Sequence, residues 1–279
     1  MIKVSNIRKS FKTHEVLKGV SFEIEEGTIY GLIGINGAGK TTLMNIMSGL
    51  MEADGGNCSF TGAAYLPDLP AFYDYLTTDE YLDFLLMDSN PARRDELLNL
   101  VGLTKGLKVK TMSRGMRQRL GIAAVLVNDP KIVLLDEPTS ALDPAGRNDV
   151  KNILLKLKSE GKTVILSTHI LADMDSICDR AGFLTNGVIA REVDIAESRK
   201  SVSLVNVKFS TEPDLELLSK YTDQIYIIDP LTIQLKIEEE DRIGGQQRIL
   251  QGLGNMPQEI VSISSAALSL DNIFQEVCL

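Results

Sequence analysis

The chemistry of this chain is concentrated in one short segment, GINGAGKTT, Gly34 to Thr42. It follows an apolar run, TIYGLIG, and opens an amphipathic one, KTTLMNIMSGL. Gly34 through Gly39, Lys40 and Thr41 fit the order G-x-x-x-x-G-K-[ST], which suits a phosphate chain. Glycine allows backbone N–H groups to turn inward around an anion, in dihedrals other residues resist. A helix starting at the lysine adds unpaired donors and a positive dipole end. Asn36, Gly37, Ala38 and Thr42 complete the candidate cradle. The Lys40 ammonium is expected on the β- and γ-phosphates, and the Thr41 hydroxyl on Mg²⁺.

A second segment supplies the charges such a site needs. KIVLLDEPTSALD ends a hydrophobic strand with Asp136 and Glu137. A carboxylate at Asp136 suits Mg²⁺ through water. Glu137, the next residue, suits a general base that orients an attacking water.

The elements that must hold these residues can be read from the remaining pattern. The 279 residues carry 24% charged and 44% hydrophobic side chains, as a globular chain does. No stretch nears the roughly 18 consecutive apolar residues of a membrane helix. The start, MIKVSNIRKSF, has no apolar segment of the kind a secretion signal uses, so a cytosolic protein is expected. Three cysteines and two histidines give neither a disulfide framework nor a His-rich metal site. The net charge of −9, with no basic block, argues against nucleic-acid binding.

KIVLLDEP and KTVILSTH read as buried strands of a parallel sheet covered on both faces. SFEIEEGTIYGLIG reads as a hairpin or as two strands. Between Thr77 and Asn128 the spacing turns helical in DEYLDFLL, RDELLNLVGL and RGMRQRLGIAAVLV, a helical lobe (77–128) set into the α/β core. The text divides at about Arg199 into domains 1–199 and 200–279. The second reads βαββαβα, which resembles a small ferredoxin-like α+β module. It runs from VSLVNVKF through a helix, EPDLELLSKY, to LDNIFQEV. Its acidic run, Glu238 to Asp241, reads as a solvated turn.

With MSRGMRQRL at Met112–Leu120, these motifs resemble the ATP-binding subunit of an ABC transporter over nearly all of Met1–Arg199. The resemblance implies a P-loop NTPase cassette: a RecA-like α/β core with an inserted helical lobe, binding ATP and Mg²⁺. In MSRGMRQRL, Ser113 and Gly115 match the family signature, while Met112, Arg114 and Met116 depart from it. There the resemblance implies contact with the γ-phosphate held by a second copy, hence a homodimer sandwiching two nucleotides. Ser140–Asp143 resembles the D-loop, His169 the switch histidine, and Phe11 the aromatic that stacks on adenine. The glutamine-loop position falls on Asp68, a shorter acidic residue that can still accept from a Mg²⁺-bound water.

The stretch from Lys40 to Asp68 is shorter than is usual in the family. Together with SLDNIF at Ser269–Phe274, it resembles bacterial bacitracin-, drug- and peptide-exporter ATPases. That implies ATP hydrolysis powering export through a separate transmembrane permease, at the cytoplasmic face of the plasma membrane. Six of the 15 aromatics, Tyr65, Phe72, Tyr73, Tyr75, Tyr81 and Phe84, crowd into one segment, a composition typical of interface cores. In the family, that segment receives the membrane subunit. Two other readings stand beside this one. A soluble ABC-type ATPase would be expected to carry two cassettes, a coiled coil or a basic surface. A nucleotide-gated regulatory module with low turnover would follow from Asp68 and the altered signature.

Overall fold

The computed structural model describes residues 1–86, 90–140, 142–222, 224–238, 242–267 and 270–278. Ala141 of the D-loop segment, 239–241 of the acidic run and Ser269 of SLDNIF lie outside them. The chain forms two units, Met1–Val193 and Asp194–Glu276.

The first unit opens with β1 (Ile2–Phe11), β2 (His14–Ile24), β3 (Ile29–Ile33), α1 (Lys40–Met47), β4 (Gly55–Cys58) and β5 (Ala64–Leu66). Three helices follow, α2 (Thr78–Leu85), α3 (Pro91–Leu100) and α4 (Arg114–Val125), and form the helical lobe. The chain then returns through β6 (Ile132–Asp136), α5 (Pro144–Ser159), β7 (Thr163–Thr168), α6 (Leu171–Met174), β8 (Arg180–Thr185) and β9 (Val188–Asp194).

β1 and β2 pair antiparallel from Ile2 opposite Ile24 to Phe11 opposite His14, and β4 joins the other edge of β1. SFEIEEGTIYGLIG is therefore not a hairpin. β2 lies in this three-stranded sheet, and β3 in a six-stranded one ordered β5-β6-β7-β3-β8-β9. Their link is packing: Phe22 of β2 stacks on Tyr30 of β3, with ring centroids 5.1 Å apart. β4 has only four residues, which matches the short text between Lys40 and Asp68.

From β5 to β8 the pairs of the larger sheet are parallel. Its central strands β3 and β7 are buried at every position. This is why neither strand, Ile-Tyr-Gly-Leu-Ile in β3 or Thr-Val-Ile-Leu-Ser-Thr in β7, alternates apolar with charged residues. β3 is flanked by β7 on one side and β8 on the other. Strand order thus reverses beside β3, and the crevice outside the carboxyl ends there is where open α/β sheets take ligands.

The lobe helices start where their sequences provide caps. Thr77 and Glu80 form a reciprocal capping box on α2, Asn90 caps α3 and Ser113 caps α4. Each cap contributes about 1 kcal/mol by satisfying an otherwise orphaned N–H. No helix among the described residues is long and apolar enough to cross a membrane.

The second unit begins before the expected break at 199/200. Here α7 (Ile195–Ser201) is started by Asp194, whose carboxylate accepts from Glu197 N–H at 2.9 Å. Next come β10 (Val202–Phe209), α8 (Leu215–Leu218), β11 (Ile225–Asp229), β12 (Thr232–Glu238), α9 (Arg242–Gly254), β13 (Ile260–Ala267) and α10 (Leu270–Cys278). The helix expected over EPDLELLSKY shrinks to the single turn α8. The antiparallel sheet runs β11-β12-β10-β13, so β12 lies between the two strands that α8 connects. Val207, Phe209, Leu218, Ile233, Leu235, Ile249 and Leu253 fill its core.

Candidate active site

Four neighbouring parallel strands end at the candidate residues. β3 delivers Gly34, β6 delivers Asp136 and Glu137, β7 leads to His169, and β5 leads to Asp68. A cleft of about 490 Å³ opens there. Asn36, Gly37, Gly39, Lys40, Thr41 and Thr42 line one side of it, with Phe11, Asp68 and Glu137 on the others.

The glycines of the loop are required by its shape. A Cβ on Gly34 would sit 2.4 Å from the Leu184 carbonyl oxygen. Gly37 and Gly39 have φ of 84° and 103°, which only glycine adopts freely. Gly39 starts α1 with no side-chain cap, whereas α2, α4 and α5 all have one. The first-turn N–H groups of α1 therefore open onto the cleft and suit an anion. Ala38, by contrast, is buried behind the loop. The Lys40 ammonium is also buried. It donates to the carbonyls of Gly34 at 2.7 Å and Ile35 at 3.3 Å, and lies 3.5 Å from Glu137 Oε1.

The two carboxylates differ in setting. Asp136 is 1% exposed and accepts from the Ser167 hydroxyl on Oδ1 and from the Tyr65 hydroxyl on Oδ2, the latter at 3.3 Å. Burial first, then the Asp136 charge, raises the Tyr65 phenol well above its ordinary value and keeps it a donor. Glu137 has φ of 50°, a left-handed backbone conformation that a non-glycine residue holds only under constraint. Its N–H donates to the Ser167 carbonyl at 3.2 Å and hydroxyl at 3.0 Å. Glu137 Oε2 meets His169 Nδ1 at 2.8 Å. A carboxylate only accepts, so a hydrogen bond here is made by the Nδ1–H form of the ring.

These groups fit a magnesium nucleotide. Thr41, Asp136 and Asp68 offer only oxygen, the donor type Mg²⁺ takes while phosphates and water fill the rest of its shell. Asp68 is also engaged elsewhere. It accepts from the Ser140 hydroxyl at 3.1 Å and lies 3.8 Å from the Arg114 guanidinium. Ser113 and Gly115 sit outside the cleft at the start of α4, where the Ser113 hydroxyl accepts from Met116 N–H at 3.2 Å. Phe11 is 45% exposed at the cleft mouth, with the Lys9 ammonium 5.8 Å from its ring centroid on one face.

Sequence reading missed Tyr65, Ser167, His14 and Val16 as neighbours of the site. The last two line the cleft because they follow the β1–β2 turn beside Phe11. The aromatic cluster divides by setting. Tyr65 turns to Asp136, and Phe72 packs edge-on against the buried Tyr81. Tyr73, Tyr75 and Phe84 stay exposed and form one surface patch, with Tyr73 5.8 Å and 5.5 Å from the other two rings.

Comparison with known proteins agrees with this geometry. The family model described as ABC transporter matches residues 17–140. An uncharacterized ABC transporter ATP-binding protein of Synechocystis sp. is 35% identical, covering 93% of this chain and 77% of that one. The lantibiotic transport ATP-binding protein SrtF of Streptococcus pyogenes is 36% identical, covering 74% and 96%. Among solved structures, the dimeric post-hydrolysis ATP-binding cassette MJ0796, bound to ADP and Pi, superposes with a TM-score of 0.64 at 26% identity. It covers 70% of this chain and 99% of that one.

Proposed function

The chain belongs to the ATP-binding subunits of ABC transporters, a family of ATPases, and from that premise we propose that it hydrolyses Mg·ATP to drive export through a separate membrane permease. The observation that carries the proposal is the meeting of Lys40 and Glu137 in one cleft, with His169 bonded to Glu137, beside an uncapped glycine-rich helix start. Mg²⁺ supplies charge neutralisation on the phosphates when bound. Thr41 would hold it directly, and Asp136 and Asp68 through water. Lys40 exchanges Glu137 for the β- and γ-phosphates. Glu137, freed from Lys40 but still held by His169, orients a water toward the γ-phosphate and accepts its proton. Phe11 stacks on the base.

Two copies would face each other, each lending Ser113 and Gly115 to the other's nucleotide. The dimeric state of the related cassette supports this arrangement. Loss of the γ-phosphate then weakens the clasp, a ligand-biased two-state switch. The exported class we propose is an amphipathic peptide or drug-like molecule, in line with the relative named for lantibiotic transport. The exposed patch of Tyr73, Tyr75 and Phe84 is the proposed seat of the permease. The acidic partnership of Asp68 with Ser140 and Arg114 favours one second reading, a nucleotide-gated module of low turnover.

Phosphate release by the purified chain separates the two readings. Lys40→Ala is expected to abolish both nucleotide retention and release. Retention and cleavage that survive Lys40→Ala would refute the assignment.

A further inference from the structure

We infer that Ser167 is a positioning residue that locks the two carboxylates of the site into one unit, with Tyr65 as its counterpart on the far side of Asp136. Ser167 is fully buried on β7, directly opposite Asp136 in the parallel β6–β7 register. A hydroxyl has one proton to give and lone pairs to receive. Ser167 spends the proton on Asp136 Oδ1 and takes the Glu137 N–H at 3.0 Å. One oxygen atom thereby holds the Asp136 carboxylate and, together with the Ser167 carbonyl at 3.2 Å, the Glu137 N–H. The Glu137 backbone is the one held at φ of 50°.

The fold does not ask for a hydroxyl at this place. β7 reads Thr-Val-Ile-Leu-Ser-Thr and is buried throughout, so an apolar side chain would extend its pattern. The hydroxyl is explained by what it holds. Tyr65 completes the arrangement by donating to Asp136 Oδ2 at 3.3 Å. With both oxygens held, the Asp136 carboxylate cannot rotate, and each oxygen keeps a lone pair for a water on a metal. Glu137 is in turn fixed between Lys40 and His169.

This inference rests on the proposed hydrolytic reading, and the test keeps the two apart. Ser167→Ala, Ser167→Thr and Tyr65→Phe are compared with the unaltered chain in four measurements. These are melting temperature, ATP affinity in EDTA, ATP affinity with Mg²⁺, and kcat for phosphate release. Partners that orient a metal's ligands typically change affinity or activity by roughly 10–100-fold. Ser167→Ala and Tyr65→Phe are therefore expected to lower kcat by that order. Both should also lose the gain in ATP affinity that Mg²⁺ brings, while affinity in EDTA stays unchanged. Ser167→Thr, which keeps the hydroxyl, is expected to recover turnover.

An unchanged kcat and Mg²⁺ response in both Ser167→Ala and Tyr65→Phe would overturn the inference. So would a loss of EDTA affinity and turnover that merely follows the melting temperature. If Ser167→Ala does not fold, Tyr65→Phe decides alone, because it keeps the ring. If the unaltered chain releases no phosphate, the hydrolytic reading fails, and the Mg²⁺ response of the variants still reads this inference.

Discussion

Replacing Glu137 by Gln should tighten ATP binding while removing turnover, and the size of the effect can be worked from the site. Lys40 Nζ lies 3.5 Å from Glu137 Oε1, with the two side chains 7% and 12% exposed. Two unit charges about 4 Å apart attract by about 4 kcal/mol at an effective dielectric constant of about 20. An incoming triphosphate must break this pair to reach Lys40, and it then faces the Glu137 charge at close range. The amide removes both costs. It also keeps the contact with His169, because a Gln carbonyl still accepts from Nδ1–H at the place where Glu137 Oε2 now does. If the Gly34 and Ile35 carbonyls and entering water offset most of the attraction, about 1.4 kcal/mol still remains, roughly tenfold in affinity. Turnover should fall by about 10²–10⁴, the usual contribution of a positioned general base. Titration calorimetry with Mg·ATP reads the first effect and phosphate release the second. The reasoning fails if the variant binds ATP no more tightly than the unaltered chain, or if it hydrolyses at the same rate.

Other perturbations follow from single contacts. Gly39→Ala would place a methyl 2.9 Å from Leu17 Cδ2 at φ of 103°, so a lower melting temperature by an equivalent of about 1–3 kcal/mol and lost ATP retention are expected. An unchanged melting curve contradicts that. A hydrogen bond from Lys162, then its charge and that of Arg93, hold the Asp129 carboxyl below its ordinary value. This stabilisation is present above about pH 4, the unfolded value, and is lost as pH falls from there through the folded one. The melting temperatures of the unaltered chain and Asp129→Asn should therefore converge on acidification below that pH, and a constant gap would exclude the pair as the cause. Replacing Tyr73 and Tyr75 together by Ala should leave phosphate release by the isolated chain intact and uncouple it from transport in vesicles holding the permease. Normal transport would remove the patch as the docking surface.

What could be read from the sequence was local in the chain. The phosphate loop is legible because its chemistry is carried by the backbone of consecutive residues, and Gly34, Gly37 and Gly39 each occupy a position where a side chain is strained or obstructed. Asp136 and Glu137 are legible because an apolar run stops at them. The change of pattern at 199/200 marks where strands resume, whereas the second unit starts a few residues earlier with the helix capped by Asp194. EPDLELLSKY has helical spacing, yet only Leu215–Leu218 is α-helical, showing that spacing alone does not set helix length.

What escaped sequence reading depends on which strand lies beside which. Each candidate could be placed at a strand end, but the order β5-β6-β7-β3 is not the order of the chain. That order brings Tyr65 and Ser167 to Asp136 from opposite sides, across sequence separations of 71 and 31 residues. Ser167 in particular looks like one more polar end to a buried strand until register sets it against Asp136. The same argument explains Asp68. Its resemblance to the glutamine-loop position can be read along the chain, while its bond to Ser140 and its approach to Arg114 cannot, because they join three separate segments. A site built at the switch point of a parallel sheet thus shows its phosphate-binding half in the sequence. The residues that orient its carboxylates emerge only once the strands are in order.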